Sequence, residues 1–111
     1  MNDALIAHLR AQCGGPRDGA LLRFSLGNAL LGAGDTATAA EELLQAVRFD
    51  PGYSAAWKLL GKALLAADDR AGAAEAWRQG IAAAQARGDK QAEKEMAVFL
   101  RRVERDTNMP D

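Results

Sequence analysis

A 34-residue period constrains this chain more than any other feature of its sequence. When residues 20–53 are placed over residues 54–87 without a gap, twelve positions are identical. Both copies carry the pattern LGxALLxAxDxAxAAE, which begins at Leu26 in the first and at Leu60 in the second. Tandem repetition at such a period is typical of solenoids, in which each unit buries its apolar face against its neighbours.

Each repeat unit is predicted to contain two helices. In the second unit, apolar residues recur at i, i+3, i+4 and i+7 from Trp57 to Leu64, which predicts a helix over 54–67. Asp69 follows a break and can cap a second helix, whose end is marked by Gly88. Because short connections join these helices, we expect them to be antiparallel neighbours.

The first unit repeats this arrangement, with helices predicted over 19–33 and 36–49. Pro51 follows the second helix and cannot continue it. Alanine and leucine supply most of the apolar residues, and both favour helices. The alternation of β-branched residues that is typical of strands is absent. The sequence therefore predicts an all-α fold.

The spacing over residues 20–87 resembles the tetratricopeptide repeat, whose pattern is W-x2-L-G-x2-Y, then A-x3-F, then P. Leucine replaces the tyrosine of the pattern in both units. The corresponding positions are Trp57, Leu60, Gly61, Leu64, Ala73 and Trp77 in the second unit, and Arg23, Leu26, Gly27, Leu30, Ala39, Leu43 and Pro51 in the first. The resemblance implies an α-α superhelix, a right-handed stack of about six antiparallel helices. Gln85 replaces the terminal proline of the second unit, so its second helix is predicted to run on by several residues.

Glycine in the middle of a helix costs about 1 kcal/mol relative to alanine, yet both units keep one. We expect Gly27 and Gly61 to face alanines of the second helix in each unit, namely Ala39 and Ala73. Small residues would there meet small residues, and the tryptophans would fill the wider spaces.

The flanking segments are predicted to complete one domain over residues 1–111. Residues 3–16 match the second helix of a preceding unit and are expected to form an N-terminal covering helix. Residues 89–106 are expected to form a C-terminal capping helix with a polar outer face, and 107–111 a flexible tail. The predicted apolar stripe of the covering helix consists of Leu5, Ile6, Leu9 and Cys13.

Charge and hydropathy argue against several classes of protein. The formal net charge is −1, from 14 basic and 15 acidic residues, so the chain lacks the basic excess typical of nucleic-acid binding. No segment approaches the roughly 20 apolar residues of a membrane span, and the N-terminal segment lacks a leader-like apolar run. A single cysteine excludes an internal disulfide. We therefore expect a cytoplasmic protein that binds neither nucleic acid nor membranes.

The sequence offers little for catalysis. His8 and Cys13 are too few to form a closed zinc site, which needs about four ligands. The segment GGPRDG lacks the Gly-Lys-Ser/Thr ending of a phosphate-binding loop and is interpreted as a turn. We expect no enzyme activity, no metal and no cofactor.

The resemblance implies a concave groove lined by the first helix of each unit. Phe24 has the least reason to lie in the core, because other leucines of its helix supply the inner stripe. Relatives that bind a terminal carboxylate carry basic and amide residues at these positions; Asn28 fits that pattern but Phe24 and Leu59 do not, so carboxylate binding is not predicted. The predicted groove residues are Leu21, Phe24, Asn28, Leu31, Lys58, Leu59, Lys62 and Leu65.

Two functions are compatible with this groove. The first is a non-catalytic adaptor that holds an acidic, partly apolar protein or peptide segment, with Phe24 and Leu31 as apolar anchors and Lys58 and Lys62 as charge partners. The alternative is a structural module that self-associates through exposed apolar surface. The expected state is a monomer or a weak homodimer.

Overall fold

The structure, a computed structural model, describes residues 3–108. Over these residues it contains six α-helices and no strand. Each helix packs against the next along the chain, so the expected all-α helical repeat fold is confirmed. The helices are α1 (Asp3–Gln12), α2 (Ala20–Gly32), α3 (Thr36–Phe49), α4 (Ser54–Ala66), α5 (Arg70–Arg87) and α6 (Lys90–Asn108).

Equivalent turns separate the two helices of each repeat unit. Asp35 and Asp69 each accept a hydrogen bond from a backbone N–H three residues on, at 3.4 and 2.9 Å, and so cap α3 and α5. Just before them the backbone is left-handed at Gly34 (φ 85°) and at Asp68 (φ 66°). Glycine adopts this conformation without the steric cost that a side chain brings. The second unit therefore keeps the turn geometry although Asp68 replaces the glycine of the first unit.

Two clusters of buried side chains form the interior. The first is centred on Leu26 and Leu43 and draws mainly on α1 to α4. The second is centred on Trp77 and Met96 and joins α5 to α6. Trp57 of α4 packs against both clusters, so α4 links the two halves of the molecule.

The two mid-helix glycines face large side chains, which corrects the expectation that they meet alanine side chains. A Cβ added to Gly27 would lie 2.5 Å from Cγ of Leu43, and one added to Gly61 would overlap the indole of Trp77. Leu43 and Trp77 occupy the same position in their units. The alanine one turn earlier contributes backbone at this point, since the carbonyl oxygen of Ala39 would lie 3.3 Å from the added Cβ of Gly27. Each glycine therefore makes room for a large, buried residue of the facing helix.

Trp77 also fixes the position of α5 against α4. Its indole N–H donates to the carbonyl oxygen of Lys58 at 3.1 Å, and its surface is only 2% exposed. Gly61 lies one turn after Lys58, so its missing side chain leaves the indole a path to that carbonyl. This packing offsets the propensity cost of about 1 kcal/mol that the glycine imposes on α4.

The C-terminal helix ends later than expected. Asp89 caps it by accepting a hydrogen bond from the backbone N–H of Ala92 at 3.1 Å, and the helical residues of α6 begin directly after this cap at Lys90. It continues to Asn108, which makes the predicted tail boundary at 107 wrong; residues 109–111 lie outside the described part. The extension of α5 is confirmed, because it runs to Arg87 before left-handed Gly88 (φ 73°).

A third glycine brings α6 close to α5. A Cβ added to Gly80 would overlap the sulfur of Met96 and lie 2.7 Å from Cβ of Trp57. Three helices therefore meet at a point where no side chain could be added without displacement. This contact holds α6 in a fixed orientation beside α4.

The N-terminal helix is shorter than predicted. α1 ends at Gln12 rather than at 16, because the chain turns at left-handed Gly14 (φ 82°) and Pro16 follows. Only Ile6 of α1 is buried, and Leu5 of the predicted apolar stripe is exposed. The reason is that α1 packs against α2 alone among the described helices, so only a narrow stripe of it is covered.

Asp18 organises the GGPRDG segment as a structural turn. Its carboxylate accepts hydrogen bonds from the backbone N–H groups of Gly14 and Gly19 at 2.8 and 2.9 Å. It also accepts two from the Arg23 guanidinium, both at 2.8 Å, and Arg23 reaches Glu42 of α3 at 2.8 Å. The hydrogen bonds from Arg23 and the backbone hold the pKa of Asp18 well below its ordinary value. This network ties the start of α2 to α3.

Asp18→Asn is expected to destabilise the protein at neutral pH, and the effect should shrink in acid. A carboxyl group with a lowered folded-state pKa stabilises the fold above its unfolded pKa of about 3.9. That contribution is lost as the pH falls further toward the folded-state value. Urea unfolding of both proteins at pH 7 and near pH 3 measures the change, and Glu41→Gln on exposed α3 surface is the control. A difference between wild type and variant that stays constant with pH would contradict this role.

Candidate protein-binding surface

Alternate helices approach each other on one side of the molecule only. α2 contacts α4 and α4 contacts α6, whereas α3 and α5 make no contact over the described residues. The side that carries α2, α4 and α6 is therefore the inner, concave one, and we call it the groove. All eight residues predicted from the sequence lie on α2 or α4.

The α2 residues of the groove differ in exposure. Leu21 is 69% exposed, and Asn28 is exposed as well. Leu31 is half-buried and packs against the first core cluster. Leu21 and Asn28 are therefore available to a ligand, while Leu31 mainly supports the surface.

Phe24 lies deeper than expected. It packs against the first core cluster, and its ring centroid lies 5.1 Å from that of Tyr53, with the planes at 34°. Burial, with a smaller effect of Asp50, raises the pKa of the Tyr53 hydroxyl. Because Tyr53 immediately precedes α4, this ring pair connects the two repeat units. The expectation that Phe24 has little part in the core is wrong.

Two α4 residues of the groove are already engaged within the molecule. The Lys58 ammonium lies 3.0 Å from a carboxylate oxygen of Glu95 on α6, and both side chains are partly exposed. Leu59 is half-buried against the first core cluster. The Lys58 ammonium is therefore already paired within the molecule.

The other two α4 residues are more open. The Lys62 ammonium lies 5.2 Å from the ring centroid of Phe99, within the range of a cation–π contact. Leu65 is 37% exposed. The Phe99 ring itself packs against Trp77, with centroids 5.3 Å apart, so α6 completes the groove beside α4.

A hollow closes the end of the groove where α4, α5 and α6 meet. Its volume is about 290 Å³. Four of its lining residues are charged, with two charges of each sign: Arg70, Arg102, Asp68 and Asp106. The apolar lining consists of Leu65, Trp77, Phe99 and Val103.

Sequence reasoning missed the contribution of α6 to the groove. Glu95 and Phe99 each face the α4 lysine that lies 37 residues earlier, and Arg87 pairs with Asp50 at the same separation. That separation exceeds the repeat period by three residues. The period alone therefore does not predict that these residues are in contact. Opposite charge at Lys58 and Glu95 was the one signal in the sequence that could have indicated the contact.

Cys13 and His8 were the residues considered for catalysis or metal binding, and their surroundings favour neither role. Burial is the main cause that raises the pKa of the Cys13 thiol, which disfavours the reactive thiolate. His8 is exposed and lies 3.2 Å from the amide nitrogen of Gln12. Across residues 3–108, no three side chains among His, Cys, Asp and Glu come together in a way that could hold a metal ion. In the same range, no helix has the length and apolar character needed to cross a membrane.

Comparison with known proteins places the chain in a family. No family model matches it. The TPR repeat-containing protein PA0015 of Pseudomonas aeruginosa is 62% identical over 88 residues, which cover 79% of this chain and 84% of that protein. The chain belongs to the tetratricopeptide-repeat proteins. The family predicted from the repeat spacing is thereby confirmed.

Solved structures agree with this membership. The solution structure of protein BPP2914 from Bordetella parapertussis is 47% identical, with a TM-score of 0.78, covering 94% of this chain and 90% of that one. The crystal structure of the Sgt2 TPR domain from Aspergillus fumigatus is 26% identical, with a TM-score of 0.68, covering 96% of this chain and 72% of that one. Tetratricopeptide repeats are in general protein-interaction modules.

Proposed function

We propose that this protein is a non-catalytic adaptor that holds an acidic, partly apolar segment of a partner protein in the groove. The observation that carries the proposal is the combination, on one concave side, of exposed leucines and a hollow lined by both apolar and charged residues. Leu21 belongs to the first turns of α2, and Leu65 borders the hollow near the end of α4. An extended segment that lies across α2 and α4 could contact both leucines.

The hollow suits one apolar side chain of such a segment. Its volume of about 290 Å³ is near the lower limit of about 300 Å³ for ligand pockets. Phe99 supplies aromatic surface there, and such surface is enriched at protein interfaces. We therefore assign the hollow to an aliphatic or aromatic anchor residue of the partner.

Lys62 is the preferred charge partner within the groove. Its contact with the Phe99 ring is of a kind worth about 0.5–1 kcal/mol at exposed sites, and it leaves the ammonium hydrogens free to bind a carboxylate. Lys58 is held by Glu95, but a partly exposed pair of this kind contributes only about 0–1 kcal/mol. A carboxylate of the partner could therefore replace Glu95 at Lys58 after the partner has docked at Lys62.

A peptide selected from a random display library on the full chain provides the probe for this proposal. The groove variant Leu21→Ser with Lys62→Glu is expected to weaken binding of the selected peptide by at least about tenfold, since it removes one apolar contact and reverses one charge. Isothermal titration calorimetry measures the affinity. Circular dichroism checks that the variant is folded.

The matched control is Phe49→Ser with Arg48→Glu on α3. It also removes an exposed apolar side chain and reverses an exposed cation, but on the convex side. This control is expected to bind within about twofold of wild type, because surface residues outside a contact contribute little. Equal losses in both variants, or a loss in the control alone, would overturn the assignment to the groove.

One observation favours the alternative assembly function. An almost entirely apolar hollow of about 310 Å³ lies between α3 and α4, lined chiefly by Leu44, Leu60, Leu64 and neighbouring alanines. A second copy of the chain could cover it. Sedimentation velocity at two protein concentrations decides between the functions: a strict monomer excludes self-assembly, and a dimer that dissociates on Leu44→Glu substitution supports it.

A further inference from the structure

The outer face of α6 carries a row of basic residues. Ala92, Met96 and Val103 are the buried side of this helix. At 3.6 residues per turn, the opposite side is a sector of about 80°. We call it the basic stripe, and it consists of Lys90, Lys94, Val98, Arg101 and Arg105.

The three glutamates of α6 lie outside this stripe and are paired. Glu93 accepts a hydrogen bond from Gln85 of α5 at 3.1 Å, and Glu104 pairs with Arg78 of α5 at 3.0 Å. On the other flank Glu95 pairs with Lys58. Among the described residues, by contrast, the four cations of the stripe have no ion pair or hydrogen bond from their side chains.

A terminal helix can be solvated without placing its basic and acidic residues on separate faces. A solenoid end needs a polar outer face, which charges of mixed sign provide. Lys90 with Lys94, and Arg101 with Arg105, are like charges at i and i+4, which is a destabilising arrangement on a helix. The stripe thus has an electrostatic cost that a negatively charged ligand would offset.

We propose that the basic stripe binds an acidic segment of a partner protein, with an aliphatic side chain of that segment seated on Val98. Val98 is 44% exposed and borders a shallow hollow of about 360 Å³ that three arginines also line. Carboxylates spaced along one side of a helix would complement the cations. The stripe is about 22 Å long, at roughly 1.5 Å per residue, which is enough for four turns of a partner helix.

Two other anions fit the stripe less well. Single-stranded nucleic acid is usually held by stacking on aromatic side chains, and the stripe contains none. Surface-bound membrane helices insert a broad apolar face with large hydrophobic residues, whereas Val98 is the only apolar member of the stripe.

The test is an NMR titration of ¹⁵N-labelled full chain with a designed acidic helix. The probe is a peptide of about 16 residues, matched to the stripe length at about 1.5 Å per residue, with glutamates at i, i+4 spacing and a central leucine. Saturable shifts of α6 amides are expected. Raising the ionic strength from about 0.01 to about 0.15 M, which shortens the screening length from about 30 to about 8 Å, should weaken binding severalfold.

Charge reversal identifies the residues that bind the probe. Arg101→Glu with Arg105→Glu is expected to weaken binding at least about tenfold. The matched control, Arg17→Glu with Arg48→Glu, changes the net charge equally at exposed arginines elsewhere and should leave affinity within about twofold. The groove variant Leu21→Ser with Lys62→Glu should also bind as wild type, so failure of the stripe and failure of the groove are distinguishable.

Any of four results would overturn the proposal. These are absence of saturable shifts, shifts confined to α2 and α4, equal weakening by the control pair, and binding of a glutamine version of the probe with unchanged affinity. Oligouridine and phosphatidylglycerol vesicles are titrated in parallel. Tighter binding of either one than of the acidic helix would contradict the choice of a protein partner.

Discussion

Replacing Trp77 with alanine is expected to lower the free energy of unfolding by about 3–5 kcal/mol, the range for truncating a large buried aromatic residue. The indole fills the space beside Gly61, packs against the Phe99 ring and donates to the carbonyl of Lys58. Its removal would leave a cavity where α4, α5 and α6 meet. Since small domains are stable by only about 5–15 kcal/mol, the variant should be close to unfolding at 37 °C.

Equilibrium urea unfolding followed by circular dichroism measures this loss. Phe49→Ala is the control, because it removes a ring that is largely exposed on α3 and should change stability by less than about 0.5 kcal/mol. A loss for Trp77→Ala that is no larger than the loss for the control would contradict the placement of the indole in the second core cluster.

Gly61→Ala is expected to destabilise the protein by about 1–3 kcal/mol, the usual cost of overpacking. Alanine is the better helix former by about 1 kcal/mol, so propensity alone predicts the opposite sign. The added methyl group would overlap the indole of Trp77, whose N–H is held in place by its hydrogen bond to the carbonyl oxygen of Lys58. Thermal and urea unfolding both report the difference.

Gly32→Ala is the matched control, because Gly32 is also helical but a Cβ there would meet nothing within 4 Å. This change should stabilise the protein by up to about 1 kcal/mol. In a Trp77→Ala background the cost of Gly61→Ala should largely disappear, since the clash is gone. Stabilisation by Gly61→Ala in the wild-type background would show that the indole lies elsewhere.

The sequence predicts the elements of the fold better than their contacts. The period aligns Leu43 with Trp77, and the caps at Asp35 and Asp69 follow from turn chemistry. The same period does not reveal which residue faces Gly61. It shows which residues of the two units are equivalent, but not which residues touch within one unit. The predicted end of α1 at 16 was wrong although the sequence carries the signal, because Gly14, Gly15 and Pro16 are residues that end a helix, and the backbone turns at Gly14.

The candidate site could be predicted only where the repeat continues. Groove positions on α2 and α4 follow from the family pattern, because both helices carry its glycine and leucines. α6 carries no copy of the motif, so the contacts of Glu95 and Phe99 with α4 were not found. Phe24 was misjudged because its partner Tyr53 lies in a connection, where periodicity gives no information.

Binding of a partner segment between α2, α4 and α6 is the central claim, and an NMR chemical-shift map tests it most directly. The ligand is the peptide selected on the full chain, titrated into ¹⁵N-labelled protein. The account predicts that the largest shifts fall on exposed residues of α2 and α4 and on the α6 residues that face them, with Leu21, Lys62 and Phe99 among them. Largest shifts on α3 and α5, with α2 and α4 unchanged, would contradict it.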